Sequence, residues 1–132
     1  MAAEEIPTTS FRDFSTSAYG NQGLQLDEVS AFTTLVNGAG TGVKFEFASA
    51  GYMIFYNSGG PQVTFTIKLD EPDEYENLGI TFTDKVITVP GASLHLLPVD
   101  SRYRTASDGM IYVECDTATN CKLQVTKRYS IV

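Results

Sequence analysis

The stretch Val-Thr-Phe-Thr-Ile-Lys-Leu, residues 63–69, has the most regular alternation of apolar and polar side chains in the chain. Successive side chains of a β-strand point to opposite faces of a sheet, so this period of two puts the apolar residues on one face. Thr64, Thr66 and Lys68 fall on the other face. Val, Ile, Phe and Thr are also enriched in strands. The stretch therefore predicts a β-strand with one face packed against a core.

The same period of two recurs on both sides of this strand, in short stretches separated by turn residues. The stretches are residues 32–36, 43–47, 80–83, 87–89 and 94–97. The turns are predicted at 37–40, 57–61, 84–85, 90–91 and 108–109, where Asn, Gly, Pro or Asp stand. Residues 110–115 and 121 to about 129 alternate as well, and we expect these last two strands to form a hairpin.

Short strands at close spacing, without a convincing helical stripe, are typical of a sandwich or barrel. We therefore predict an all-β fold, a single jelly-roll-like β-sandwich of eight or nine short antiparallel strands. Side chains of the two sheets would fill a shared core. Residues 29–132 form this domain in the prediction.

Residues 1–28 lack any sustained period and are rich in Ser, Thr, Gly, Asn and Gln, which predicts an extended N-terminal arm. The arm nevertheless contains three aromatic residues, Phe11, Phe14 and Tyr19. Two interpretations are open. The rings pack onto the core of their own domain, or they bind a neighbouring subunit or partner and order the arm on assembly.

The overall charge limits the expected partners. The 132 residues carry a formal net charge of −7, so phosphate backbones and anionic lipid surfaces would repel the molecule. We expect neither nucleic acid nor a membrane as a partner. No apolar run approaches the roughly 18 residues of a membrane-spanning helix. The first five residues, MAAEE, are acidic where a secretory signal would be basic, which predicts synthesis in the cytosol.

The sequence contains no arrangement that predicts catalysis. The single histidine, His95, lies in an apolar stretch, and a G-x-S-x-G nucleophile motif is missing. A structural or surface role for His95 is the expectation. We predict a protein that is not an enzyme, with no catalytic, cofactor-binding or metal-binding residue.

The two cysteines, Cys115 and Cys121, share the parity of apolar neighbours and are expected to point inward. They would form a disulfide if their Cβ atoms come close enough, or remain as reduced, buried thiols, as is more common in the cytosol. A zinc site would need a third and a fourth ligand, which are missing.

Residues 70–76, DEPDEYE, hold five carboxylates in seven positions, so a calcium site has to be considered. The spacing does not match an EF-hand loop, and the central glycine of that loop is missing. A solvated connection between strands is the favoured interpretation. If the segment has a role, we expect it to face a basic patch on a partner.

Two further regions are candidates for partner binding. Residues 52–56, YMIFY, are apolar on both faces, which fits a central strand or one whose outer face meets a partner through Tyr52 and Tyr56. In the long connection, Arg102 and Arg104 flank Tyr103. Ordinary surface charge is the simpler interpretation of these two arginines and of Lys127 and Arg128.

The pattern from about residue 32 to 129 resembles the small β-sandwich decoration or cement proteins of tailed-bacteriophage heads. The resemblance rests on the Ser/Thr-rich start, the stretches YNSGG (56–60), VTFTIKL (63–69), ITVPG (87–91) and LQVTKRY (123–129), with Pro98, Tyr103 and Asp108-Gly109 between the last two. The acidic stretch 70–76 and the two cysteines depart from that group.

The resemblance implies a non-enzymatic protein on the outer surface of a capsid, commonly a trimer, that bridges and cements subunits of the major capsid protein. It implies a virion location after synthesis in the host cytoplasm. A head-to-tail joining or tail-associated protein is the first alternative. A carbohydrate-binding module, calcium-dependent through residues 70–76, is an alternative of another class, although the chain has no Trp.

Overall fold

A computed structural model describes residues 4–11, 33–34, 42–69, 84–105, 108–117 and 120–128. Within these ranges the strands are β1 (Glu4–Glu5), β2 (Thr33–Thr34), β3 (Val43–Glu46), β4 (Ala50–Asn57), β5 (Val63–Lys68), β6 (Lys85–Val89), β7 (Ser93–Pro98), β8 (Met110–Cys115) and β9 (Cys121–Lys127). Short 3-10 turns lie at Thr8–Ser10 and Ser101–Tyr103. In the same ranges, no helix has the length and apolar character needed to cross a membrane.

The strands form two sheets. One has the order β1-β3-β8-β5-β6 and the other the order β2-β9-β4-β7. The pairs are antiparallel except that of β1 with β3, which is parallel. Apolar side chains from both sheets form one buried core, so the prediction of an all-β sandwich is confirmed.

The core follows from the alternation in the sequence. Val63, Phe65 and Ile67 of β5 are buried, whereas the threonines between them are half-buried on the other face. From the opposite sheet, Phe55 brings its ring to 4.9 Å from that of Phe65, centroid to centroid. This distance is within the range of favourable contacts between aromatic rings, so the two sheets are held face to face here.

Strand β4 lies between β9 and β7, which confirms that the stretch with two apolar faces is an internal strand. Met53 and Phe55 belong to the core. Tyr52, Ile54 and Tyr56 therefore lie on the outer face of the four-stranded sheet, because strand side chains alternate.

Part of the expected arm belongs to the sandwich. Strand β1 pairs with β3, and the Ile6 N–H donates to the Lys44 carbonyl at 2.8 Å. Ile6 and Phe11 are buried in the core, with the Phe11 ring edge-on to Phe45 at 6.1 Å. For Phe11, the structure favours packing onto its own domain. Phe14, Tyr19 and the rest of residues 12–28 lie outside the described ranges.

The predicted hairpin of the last two strands is wrong. Strand β8 lies between β3 and β5 in one sheet, whereas β9 lies between β2 and β4 in the other. Alternation specifies which side chains face the core, but either sheet satisfies that requirement. The connection after Cys115 therefore crosses from one sheet to the other instead of turning back within one.

This crossing is spanned by a disulfide between Cys115 and Cys121. Both residues are buried, as their parity predicts. Because the two cysteines begin and end the crossing, the bond links the two sheets covalently. Of the two states considered for the thiols, the structure has the bonded one.

Asn57 organises the same end of the sandwich. Its side chain is fully buried, and Nδ2 donates to the carbonyls of Pro61 at 2.7 Å and Val89 at 3.2 Å. Its Oδ1 accepts from the Gly59 N–H at 3.0 Å. Gly91 packs so closely that an added Cβ would lie 2.1 Å from the Gly60 carbonyl oxygen. We call this region, with the disulfide, the disulfide end.

Replacing Asn57 by Ala should lower the free energy of unfolding by about 3 kcal/mol, because buried main-chain groups at this end lose their partners. Urea denaturation measures the change. Gln62→Ala, at an exposed position nearby, is the control and should stay within about 0.5 kcal/mol of the wild type. A loss equal to that of the control would contradict the role assigned to Asn57.

Replacing both cysteines by Ala should lower the free energy of unfolding by about 2 kcal/mol, since the bond closes a short loop in the unfolded chain. Urea denaturation of the wild type with and without a phosphine reductant provides the comparison. The reduced wild type should lose a similar amount. Unchanged stability on reduction would show that the two sheets do not need the covalent link.

Candidate functional site

Strand β7 forms one edge of the four-stranded sheet and presents main-chain groups outward. The Val99 N–H points toward the neighbouring β4, where it donates to the Gly51 carbonyl at 2.9 Å. Since these groups alternate sides along a strand, the N–H and C=O groups of Leu94 and Leu96 point away from the sheet. Pro98 stands at the next outward position, where it has no N–H to leave unpaired.

The side chains beside this edge are apolar and exposed. Leu96 has 58% of its surface exposed, Tyr52 41% and Leu94 38%. Cross-strand pairing places Tyr52 opposite Pro98 and Tyr56 opposite Leu94. We call Tyr52, Leu94, Leu96 and Pro98 the β7 edge surface.

The stretch of sequence that contains β7 carries no charge. Residues 86–99 contain no Asp, Glu, Lys or Arg, although such residues make up 19% of the chain. These residues include most of β6, the edge strand of the other sheet, where Val86 is 57% exposed. Proteins commonly protect edge strands with charged residues, particularly Lys, so an uncharged apolar edge is suited to pairing with another chain.

The predicted partner-binding residues that the structure describes differ in burial and in their contacts. Tyr52 is exposed and Tyr56 half-buried on the outer face of the sheet. Phe11 and Tyr103 are buried in the core of the domain. Arg102 forms an ion pair with Asp100 at 3.2 Å.

Arg104 has a different contact, because its guanidinium group lies over the ring of Phe47, 5.5 Å from the centroid. Arg102 lies over the ring of its neighbour Tyr103, 5.8 Å from the centroid, so of the three neighbours it is Arg104 that contacts a different part of the chain. His95 lies on the same face as Phe55, with ring centroids 6.3 Å apart, and is exposed at the sheet edge.

One group in the described ranges brings together side chains able to bind a metal. Ligand atoms of Cys115, Asp116 and Cys121 lie within 4.8 Å of one another. Both sulfur atoms are joined in the disulfide, however, and a metal ligand must be a thiolate. The Asp116 carboxylate accepts from the Thr64 N–H at 3.1 Å, which ties this connection to β5.

The acidic stretch 70–76 lies outside the described residues, but the base of its connection is described. Asp84 accepts from the Leu69 N–H at 2.8 Å and forms an ion pair with Lys68, also at 2.8 Å. These contacts join the two ends of the connection. Strand β6 begins at Lys85, so the turn predicted at 84–85 is wrong.

The sequence-based prediction did not select Leu94, Leu96 or Pro98 as partner-binding residues. It placed the two leucines on one face, which the pairing with β4 confirms, but alternation does not indicate whether that face is covered. The available signal was the uncharged run from 86 to 99 in a chain of net charge −7.

Comparisons with protein-family models, with curated proteins and with solved structures find no match to this chain. The β7 edge surface therefore has to be interpreted from its own chemistry and geometry.

The Lys68–Asp84 pair predicts a pH-dependent contribution to stability. Burial opposes ionisation of Asp84, but hydrogen bonds from Lys68 and the Leu69 N–H hold its pKa below the ordinary value in the folded state. The contribution is therefore complete above the pKa of the unfolded chain, about 3.9, and is lost as the pH falls through the folded-state pKa.

Asp84→Asn should accordingly lower the free energy of unfolding at neutral pH by about 0.5–1 kcal/mol, since the pair is partly exposed. Urea denaturation at a series of pH values should show the variant and the wild type converging in acid. Glu5→Gln, at an exposed position, is the control. A difference that grows as the pH falls would contradict this assignment.

Proposed function

We propose that this protein is a non-catalytic structural protein of a bacteriophage virion, which decorates and cements the outer surface of the capsid. The observation that carries the proposal is the β7 edge surface, an uncharged edge strand beside three exposed apolar side chains and Pro98. Such a surface is suited to burial against another protein chain and has no evident use in a protein that remains alone.

We further propose a jelly-roll topology. Without β1, the two sheets have the orders β2-β9-β4-β7 and β3-β8-β5-β6. In both orders, strands from the first half of the chain alternate with strands from the second half at one side of the sheet, as expected for the two Greek keys of a jelly roll. The jelly roll is frequent among viral capsid domains and also among lectins. This topology therefore supports a virion role without excluding the carbohydrate-binding alternative.

Two further features support a place on the outside of a particle. Disulfides persist on virion surfaces, where no cytosolic reductant keeps thiols reduced, and this chain has one between its sheets. The sequence resemblance to decoration proteins points the same way. In this proposal the partner is the major capsid protein, and the copies of the protein assemble as trimers.

In a trimer the β7 edge surface would contact the next copy. A ring of three requires a surface that packs on a different surface of its neighbour, so the β7 edge of one copy would pair with main-chain groups on another part of the next copy. Hydrogen bonds from the outward main-chain groups of Leu94 and Leu96 would fix the register of that contact, and the leucine side chains would be removed from water.

The double variant Leu94→Lys/Leu96→Lys should convert the oligomer to a monomer, because two charges at the contact would have to be buried without partners. Size-exclusion chromatography with light scattering measures the mass, and circular dichroism checks that the strands persist. Thr66→Lys, on the outer face of the other sheet, is the control and should leave the mass unchanged. A monomeric wild type would contradict the proposed contact.

Binding to capsids is tested separately by sedimentation of the protein with particles that lack their decoration protein. Saturable binding over the whole shell supports decoration. Binding at a single vertex would instead favour the head-to-tail joining alternative. A positive glycan array without capsid binding would favour the carbohydrate-binding module.

A further inference from the structure

A cleft of about 470 Å³ lies at the end of the sandwich opposite the disulfide end. Three segments line it. They are the first 3-10 turn (Thr8, Thr9), the connection between β3 and β4 (Ala48, Ser49) and the end of β9 (Lys127, Arg128). The volume lies in the range of small-ligand sites, so it would hold a few side chains of a bound peptide.

The walls of the cleft are fixed by the fold. The 3-10 turn is held between Ile6 and Phe11, both buried in the core. On the opposite side, the Arg128 N–H donates to the Ser49 carbonyl at 2.8 Å, which joins the end of β9 to the connection before β4. The cleft is therefore present before any ligand arrives, and less ordering of the protein is required on binding.

Two arginines that are 24 positions apart in the sequence meet on one aromatic ring at this end. The guanidinium carbon of Arg128 lies 5.0 Å from the Phe47 ring centroid, and that of Arg104 lies 5.5 Å from it. Their guanidinium carbons are therefore no more than about 10.5 Å apart. Arg128 also donates to the Phe47 carbonyl at 3.3 Å, which orients its side chain.

The two arginines of this end are available to an anion. Arg104 and Arg128 are exposed, and neither forms an ion pair with a carboxylate of the described ranges. Lys127 is exposed beside them. Glu46 and Asp108 belong to the segments around Phe47, and both already accept hydrogen bonds, Glu46 from the Ser49 hydroxyl at 3.1 Å and Asp108 from the Met110 N–H at 3.0 Å. We call Arg104, Lys127 and Arg128 the basic end.

The small size of the basic end and its arginine side chains favour some anions over others. The whole molecule carries a charge of −7, so a long polyanion such as nucleic acid would be repelled outside this small region. A short acidic segment would contact Arg104 and Arg128 without extending over the rest of the negatively charged molecule. The planar guanidinium group can donate two parallel hydrogen bonds to one carboxylate, which a compact ammonium group cannot do.

We propose that the cleft binds a short acidic segment of a partner protein, with Arg128 holding one carboxylate and Arg104 a second. Thr8 and Thr9 line the cleft, and in this proposal their hydroxyl groups donate to the same segment. This surface is separate from the β7 edge surface, and its role does not depend on whether the protein belongs to a virion.

The test is a titration followed by NMR, with a capped Asp/Glu peptide and the matching Asn/Gln peptide as probes. The acidic peptide should shift the amide signals of Thr9, Ser49 and Arg128, and the affinity should fall as salt is added. Arg128→Gln and Arg104→Gln should each weaken binding about ten-fold or more, the effect expected for losing a charge-assisted hydrogen bond.

Two matched variants make the test specific. Arg102→Gln removes an arginine from the same connection, but one that is paired with Asp100, and it should leave the affinity within about two-fold of the wild type. Arg128→Lys keeps the charge without the planar donor group, so we expect a partial loss. The NMR spectrum of each variant reports whether the fold is intact.

Three results would overturn the proposal. One is the absence of shifts at the cleft at the highest soluble peptide concentration. Another is an equal loss of affinity in the Arg102 variant, because the attraction would then be unspecific. The third is tighter binding of inorganic phosphate or of a single-stranded oligonucleotide than of the acidic peptide, which would assign the cleft to a different class of ligand.

Discussion

Packing of the two sheets against each other, through Phe55 of one and Phe65 of the other, is the constraint on which the rest of the structure depends. Once these rings face inward, alternation determines the direction of the side chains on β5 and on β4 from Met53 onward, beyond the register shift between Ala50 and Met53. Tyr52 then lies on the outer face with Leu94 and Leu96 of the neighbouring β7, and these three are exposed, whereas Ile54 and Gln124 on the same face are buried. The outward position of the β7 edge surface thus follows from how the core is built.

Local alternation predicted most of the described strands, but not β1 in the expected arm, the start of β6, or the arrangement of the strands into sheets. Strand β5 and the inward positions of Cys115 and Cys121 could be predicted from the local sequence, because the side chains buried on one face of a strand recur at every second residue. The assignment of β8 and β9 to different sheets could not be predicted in this way, because each sheet offers an apolar inner face against which either strand could pack. That choice depends on contacts between residues far apart in the chain.

The candidate sites were harder to predict for the same reason. Tyr52 was identified from its two-faced strand, whereas Phe11 and Tyr103 were selected as aromatic residues and turned out to be buried. Arg104 meets Arg128 only because the chain returns Phe47 to a position between them. No local pattern connects those positions. The two surfaces also depend on different physics, since one buries apolar groups and main-chain edges and the other attracts opposite charge.

Strand β4 runs from one end of the sandwich to the other, with Ala50 opposite Lys127 at its start and Asn57 opposite Cys121 at its finish. Its eight residues separate the two ends by about 23 Å. One end is sealed by a covalent bond and a buried amide, and the other is open and cationic. The two ends of the molecule therefore differ in chemistry. A copy bound to a surface through its cationic end would turn the disulfide end outward, and an inverted copy would turn the cationic end outward. In a regular array on one surface, all copies would therefore share the same orientation.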